Sequence, residues 1–586
     1  MASSLSKFTS LFEAIQANAA LHADRDAVTY LSDMDSEQGH ETLTYAALDA
    51  RARAIAATLH RSCEPGDRVL LLYPEGIQFA AAFTGCLYAG VVAVPAPLPG
   101  RLSNQRRRVT AIAADASVAM VLTDRDSLFD VLDWAGSADL PPLECLSTNG
   151  DTLAADAEWT RPSLDRDSLA LLQYTSGSTG DPKGVTVTHG NLLDNVTSLQ
   201  EAFGLDDGSR FGSWIPHYHD MGLMGILVPP LLLGGSCVLM SPTTFIKRPH
   251  WWLRMVDEWD LTWSAGPNFA FELCTRQVTD DQMKNLDLSR WLFACNGSEP
   301  VRAGTITAFA MRFAPAGLRS DALNPCYGMA EATVFVSGSG RREPVIRRVD
   351  EKLLAQGTFE VATGDGPWRE LVGCGSAHDS DLRIVDPDTL HALPDGRIGE
   401  IWLRGPSISQ GYWNNPEATN RSFRAQLADG EQEFLRTGDL GTLQNGELFI
   451  TGRIKETLIL RGRNLYPQDI EYGLRDSHPE LTGLFGAAFT VTVKDDGDDE
   501  DVLVVLHEVR GRPPREQLTA LASAVRRTLS REFGVHAAGV QLLRRGAVRR
   551  TTSGKIQRLE MREMFLAGTT DALLSEATPR LASVLP

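Results

Sequence analysis

Over the first 300 or so residues, short apolar runs alternate with stretches whose apolar positions recur three and four apart. DRVLLLYP (67–74), SVAMVLTD (117–124), SLALLQYT (168–175), SCVLMSP (236–242), LTWSAGP (261–267) and WLFACNG (291–297) read as strands buried on both faces. GIQFAAAFTGCLYAG (76–90), NLLDNVTSLQEAF (191–203), PHWWLRMVDEWD (249–260) and FAFELCTRQV (269–278) read as the helices between them. Buried strands alternating with helices predict parallel βαβ units and a layered α/β core.

The pattern changes after about residue 375. DLRIVD (381–386), GEIWLRG (399–405) and GELFITG (446–452) are short β runs divided by turn signals, which predicts a smaller β subdomain. From Leu458 it changes again, to a helix in YPQDIEYGLRDSHPEL (466–481) and a hairpin made of AAFTVTVK (487–494) and DVLVVLHEV (501–509). The acidic run between them, 495–501, is a solvated tip, and Arg106-Arg107-Arg108 is the exposed face of a helix start. Met221–Ile246 carries no charge after Asp220, but Pro229-Pro230 and Gly234-Gly235 cut it into helix, turn and strand. A membrane span needs about 20 unbroken apolar residues, so no stable membrane insertion is expected.

Composition narrows the partners. The chain has 586 residues, 56 Lys and Arg against 75 Asp and Glu, and a formal charge of −19, so nucleic acid is not its main partner. The 8 cysteines include no CxxC pair and are too sparse for a disulfide scaffold, which predicts buried thiols in a cytoplasmic protein. The N-terminus, MASSLSKFTSLFEAIQ, starts an amphipathic helix and lacks the apolar stretch of a signal peptide.

The strongest chemical signal is YTSGSTGDPKGV (174–185), directly after a buried strand. Thr175, Ser176, Gly177, Ser178 and Thr179 supply backbone N–H groups and hydroxyls suited to polyphosphate, and Lys183 adds a cation. It is not a Walker A loop, since Pro182 and Gly184 stand where Gly and Ser or Thr would be required. This loop resembles the phosphate loop of the adenylate-forming superfamily of acyl-CoA synthetases, nonribosomal peptide adenylation domains and luciferases. NGSEP (296–300), YGMAEAT (327–333), RTGDLG (436–441), TGRIKE (451–456) and TTSGKIQR (551–558) resemble its other motifs, in order.

WIPHYHDMGLMG (214–225), SPTTFIKRPHWWL (241–253) and GPNFAFELC (266–274) are similar to acyl-site segments of one subfamily, the fatty acyl-AMP ligases. The long stretch after YGMAEAT, roughly 338–371, resembles the insertion of that subfamily, which is associated with failure to use CoA. The resemblance implies an α/β fold: a large N-terminal domain (1–453) of layered parallel-sheet subdomains plus a β subdomain, and a small mobile α+β C-terminal domain (456–586), with a hinge at 454–456 centred on Lys455. It implies ATP-dependent activation of a fatty acid, with Mg²⁺, and acyl transfer to the thiol of a holo acyl carrier protein, by a monomer or weak dimer.

Residue by residue, the resemblance implies that Lys555, His219 and Glu331 are catalytic, Glu331 also holding Mg²⁺. Asn296, Gly297, Ser298, Tyr327, Gly328, Met329 and Ala330 would line the nucleotide site, with Asp439 and Arg453 at the ribose. His219, Gly222, Gly266, Pro267 and Phe269 would border the acyl chain. The chemistry asks for such residues, because a carboxylate must approach an anionic α-phosphate, and positioning plus charge cancellation lowers that barrier. Lys555 lies in a basic segment with Arg544, Arg545, Arg549, Arg550 and Arg558. Ala330 departs from the Thr of many superfamily members, so more of the phosphate positioning falls to Thr175, His219 and Lys555. His217, His219 and Asp220 form an HxHD cluster without a third ligand nearby, an alternative metal site. Two other functions stand beside this one: an acyl-CoA synthetase, and a non-catalytic nucleotide or lipid binder that would have no need of Lys555.

Overall fold

A computed structural model of the protein describes residues 5–100, 103–149, 159–175, 182–364, 366–460, 463–495, 498–551 and 554–585. Two large sheets carry the first 325 residues. The six-stranded sheet runs Glu144–Ser147, Met120–Thr123, Arg68–Leu72, Val92–Ala96, Leu169–Thr175, Lys183–Thr188. The seven-stranded sheet runs Leu323–Pro325, Phe293–Gly297, Trp263–Pro267, Arg210–Ser213, Ser236–Met240, Asp26–Leu31, His40–Thr44. Each is parallel except at one edge, where Lys183–Thr188 and His40–Thr44 pair antiparallel. Those two edges depart from the expected all-parallel units. In both cases the chain returns without the crossover helix that a parallel neighbour requires.

The apolar runs became buried strands, and the periodic stretches became the helices Ile77–Ala89, His189–Phe203, His250–Glu258 and Asn268–Gln277. The helix His189–Phe203 is fixed at both ends. Thr188 and Asn191 form a reciprocal capping box, and Gly204 closes it at φ +63°. The uncharged stretch 221–246 folds as helical turns ending at Gly234 and then the strand Ser236–Met240. Among the described residues, no helix is long and apolar enough to cross a membrane. The eight cysteines are free thiols.

A third, antiparallel sheet follows, of Asp381–Val385, Gly399–Arg404, Leu435–Gln444 and Glu447–Arg453. Between it and the large sheets lies the 338–371 segment. Its strand Ile346–Asp350 pairs with Trp368–Val372, and Val349, Leu354, Phe359 and Leu371 pack on Phe449 of the third sheet.

Beyond Leu458 the chain builds cores of its own around a sheet ordered Gly486–Asp495, Asp498–Glu508, Ala537–Leu543, Ala572–Ala577. The predicted hairpin is the first pair, and part of its acidic tip lies outside the described residues. This terminal lobe meets the rest through Arg302–Asp476 at 2.5 Å, Arg475–Glu272 at 3.0 Å and Arg369–Asp469 at 2.6 Å. Within it, Arg558 bridges buried Glu471 (2.7 Å) to Glu456 (2.6 Å) beside Lys455. Removing one partner of a buried ion pair leaves the other uncompensated. Arg558→Ala should therefore destabilise the terminal lobe by about 3–5 kcal/mol, read as a shift in its urea midpoint.

Candidate active site

The cleft opens where strands of both large sheets reach their carboxyl ends, the usual place for a ligand in open α/β sheets. Thr175 and Pro267 end strands and Trp214, Ser298 and Cys326 follow them, all lining the cleft, whose volume is about 2350 Å³. A second cavity of about 530 Å³ continues between the terminal lobe, the 338–371 segment and Tyr327, Asp439 and Arg453.

At one end Thr175 lies directly opposite Lys183 across the edge hairpin. Ser176, Gly177, Ser178 and Thr179 lie outside the described residues. The Lys183 ammonium sits 5.1 Å from the centre of the Tyr412 ring, and the Tyr412 hydroxyl donates to Glu331 Oε1 at 2.8 Å. The Tyr412 segment is tied to the hairpin by Thr186 Oγ1 donating to the Gly411 carbonyl (2.9 Å) and Trp413 N–H to the Gly184 carbonyl (2.7 Å). Glu331 projects from the turn Ala330–Ala332, closed by Thr333 at φ +64°, whose hydroxyl donates to the Ser407 carbonyl at 2.7 Å. Burial lowers the Lys183 pKa, the charges of Lys455 and Arg421 lower it further, and Glu331 opposes them. Three cations and one carboxylate thus gather here. Among the described residues no group of three or more His, Cys, Asp or Glu could hold a metal ion. A single carboxylate whose partner oxygen is held by a phenol suits a magnesium ion that keeps most of its waters.

At the opposite end the Tyr327 hydroxyl donates to Asp439 Oδ2 at 2.8 Å, and Arg453 Nε donates to Asp439 Oδ1 at 2.7 Å. Asp439 and Arg453 face each other across adjacent strands, so sheet register sets this pair. Gly328 is held so close to the Val334 carbonyl that a Cβ would lie 1.7 Å from its oxygen. Gly297, Ser298, Met329 and Ala330 line the cleft. Asn296 does not: it is buried, and its amide donates to Asn268 Oδ1 at 3.4 Å.

On the third side His219 Nδ1 lies 2.6 Å from Asp220 Oδ1, which also accepts the Met221 N–H at 2.7 Å. Burial pushes the Asp220 carboxyl up, but the charge and hydrogen bond of His219 and the ammonium of Lys555 overcome it and hold it at about 2. His217 is different. It stacks on Phe79 at 3.9 Å and burial lowers its pKa to about 3, so it is a neutral core histidine. The HxHD sequence therefore does not converge on one point. Pro267 and Phe269 line the cleft, whereas Gly222 and Gly266 stand behind its wall, against the Pro216 carbonyl and the Trp252 ring.

Lys555 enters from the terminal lobe. Its loop is closed by Thr551 N–H on the Lys555 carbonyl (2.8 Å) and Lys555 N–H on Thr551 Oγ1 (3.0 Å), with Gly554 at φ +89°. A Cβ on Gly554 would lie 3.0 Å from the Phe269 ring, so the loop rests on that ring. Burial lowers the Lys555 pKa and Arg453 lowers it further, while Asp220, Asp439 and Glu299 oppose. Four residues in this constellation escape motif reading. Tyr412 and Arg421 merely flank the turn signal Asn414-Asn415-Pro416, Asp220 reads only as a metal ligand, and Glu299 lies inside NGSEP without a role.

Residues 15–413 match the family described as AMP-binding enzyme. The chain belongs to the AMP-binding enzyme family. It is 41% identical over 576 residues to a medium-chain-fatty-acid–[acyl-carrier-protein] ligase of Moorena producens, with 96% of each chain covered. It is 38% identical over 557 residues to a long-chain-fatty-acid–AMP ligase of Mycobacterium marinum, covering 92% of this chain and 94% of that one. A solved fatty acyl-adenylate ligase from a study of the E. coli and L. pneumophila enzymes superposes with TM-score 0.85 at 32% identity, over 96% of this chain and 98% of that one. Behind the cleft wall, backbone packs closely on backbone at Gly222. In Gly222→Ala the new methyl would lie 2.1 Å from the Pro216 carbonyl oxygen. The His219 turn must then move. The expected result is a loss of about 1–3 kcal/mol in thermal unfolding, with weaker fatty-acid turnover.

Proposed function

We propose that the protein activates a fatty acid with ATP, forming the acyl-adenylate and releasing pyrophosphate, and then passes the acyl group to the phosphopantetheine thiol of a holo acyl carrier protein. The observation that carries this reading is the seat of Lys555. An ammonium from the terminal lobe reaches a cleft where Asp220 beside His219, Asp439 beside Arg453, and Glu299 all act on its charge. A binding module has no use for a cation set at the point where two anionic substrates meet. The named ligases among its relatives, a medium-chain-fatty-acid–[acyl-carrier-protein] ligase and a long-chain-fatty-acid–AMP ligase, support the substrate class.

In this mechanism a carboxylate oxygen of the fatty acid attacks the α-phosphorus, the bond to the β-phosphate oxygen breaks, and pyrophosphate leaves with the electron pair. Lys555 bridges the attacking carboxylate and an α-phosphate oxygen, neutralising charge that grows in the transition state. Asp439 takes the ribose hydroxyls beside Arg453, and Tyr327 lies against the adenine. His219, fixed by Asp220, and Phe269 border the acyl carboxyl end. Thr175 and Lys183 hold the departing phosphates. Glu331 is the residue that would hold Mg²⁺, which supplies further charge neutralisation when bound.

Residues 1–453 act as the substrate-binding body and 456–586 as a mobile lobe turning about Lys455, which excludes water from the hydrolysable mixed anhydride. The 338–371 segment braces that lobe, since Arg369 stacks on Tyr466 at 5.1 Å and pairs with Asp469. Such a brace opposes the large rotation that a CoA-dependent second step would need, and directs the acyl group to a carrier-bound thiol. Free thiols suit the cytoplasm, and the protein acts as a monomer or weak dimer.

The test uses purified protein, ATP, Mg²⁺ and a panel of saturated acids, with acyl-AMP followed by mass spectrometry and CoA and a holo carrier protein offered as competing acceptors. Lys555→Ala should abolish adenylate formation and leave ATP affinity within about threefold of wild type. Near-normal turnover by that variant, or acyl-CoA as the faster product of the intact protein, would refute the corresponding half of the reading.

A further inference from the structure

Glu299 lies just beyond the strand Phe293–Gly297, lines the second cavity and belongs to no step above. Its Oε1 accepts the backbone N–H of Phe269 at 2.6 Å. That contact has a local cause. The helix Asn268–Gln277 starts after Pro267, which makes no side-chain cap, so its first turn presents N–H groups that need an acceptor from elsewhere. Glu299 supplies one across 30 residues of sequence. The Phe269 ring, held at its base in this way, is the surface on which Gly554 rests. The same carboxylate acts on the Lys555 ammonium one residue further on.

We propose that Glu299 is a positioning residue for the lysine loop: it fixes Phe269 through the backbone and draws in Lys555 by charge, so the terminal lobe closes onto a preset seat. The inference rests on the reading of Lys555 given above. Its two contacts separate chemically. Holding Phe269 needs only an acceptor oxygen, which a Gln also has, whereas attracting Lys555 needs the negative charge. The groups around the carboxylate are Lys555 and Arg550 from the lysine hairpin, Arg475 and Tyr472 from the helix Pro467–Ser477, and Glu272 from the helix that Glu299 caps. Burial raises the Glu299 pKa to about 7, the Phe269 N–H and the Lys555 ammonium lower it, Glu272 raises it and Arg475 lowers it. The carboxylate therefore forms as pH rises through neutrality, and seating of the loop improves in the same direction.

The experiment compares full-length wild type, Glu299→Gln, Glu299→Ala and Lys555→Ala, following pyrophosphate release between about pH 5.5 and 9 alongside melting temperature. Glu299→Gln should melt like wild type, lose about tenfold to a hundredfold in kcat with little change in KM, and lose the rise in rate through neutral pH. Glu299→Ala should also melt lower, because the helix cap goes. A Gln variant with wild-type kcat and pH profile overturns the proposal, as does an activity loss that only tracks melting temperature. If Lys555→Ala is inactive while Glu299→Gln is normal, the Glu299 proposal alone fails. If Lys555→Ala turns over normally, the functional reading beneath it fails.

Discussion

A partly buried ammonium acted on by three carboxylates is the constraint on which the cleft depends. Taking a lysine out of water costs several kcal/mol, and the cost falls only where opposite charge is fixed nearby. Lys555 finds Asp220, Asp439 and Glu299 in that role, with Arg453 opposing. Each of those carboxylates is anchored by a group of its own: the His219 ring, the Tyr327 hydroxyl and Arg453, and the Phe269 N–H. The pocket is therefore preorganised for a cation from outside its own lobe. In the proposed reaction, an incoming α-phosphate and acyl carboxylate would extend the negative surroundings that the lysine already meets.

Contacts between the lobes are of a different strength. Arg302–Asp476 and Arg369–Asp469 are partly exposed pairs, of the kind worth about 1 kcal/mol or less each. Only Arg475, 9% exposed and stacked 4.7 Å over Tyr472, is deeply placed against its partner Glu272. Within the lobe, by contrast, Arg558 joins Glu471 and Glu456 with little solvent. Strong bonds inside the terminal lobe and weaker ones across the junction suit the proposed turning of that lobe as a unit, with the Arg369–Asp469 pair restraining its widest rotation and the Arg558–Glu456 pair carrying the rigid part up to Lys455.

Legibility followed the same physics. Parallel strands buried on both faces read as continuous apolar runs, so the two large sheets were evident in stretches such as SLALLQYT and WLFACNG. The antiparallel edge Lys183–Thr188 was not, because its loop was read for chemistry and its return strand carries no distinct periodicity. Ordered motifs marked Tyr327, Asp439, Arg453 and Lys555, and these do converge. Asn296, within a motif too, turned into the core toward Asn268. Partnerships such as Tyr412–Glu331 and Glu299–Phe269 were invisible, since each is a side-chain contact across 81 and 30 residues with no spacing rule behind it.

Charge distribution explains how a chain of net charge −19 can still receive a triphosphate. The cations are concentrated: Arg421 and Lys455 act on Lys183 at the Thr175 end, and Arg453 acts on Lys555 further in. Low-dielectric walls focus such a local field, so the bulk acidity outside does little to cancel it. Lys455 is the informative member, because it lies at the junction of the lobes and also belongs to the cationic end. In the proposed reaction, polyphosphate bound at Lys183 would offset the repulsion that Lys455 exerts on it, and its departure would restore that repulsion beside the proposed hinge. One electrostatic arrangement would then serve both charge cancellation and lobe movement.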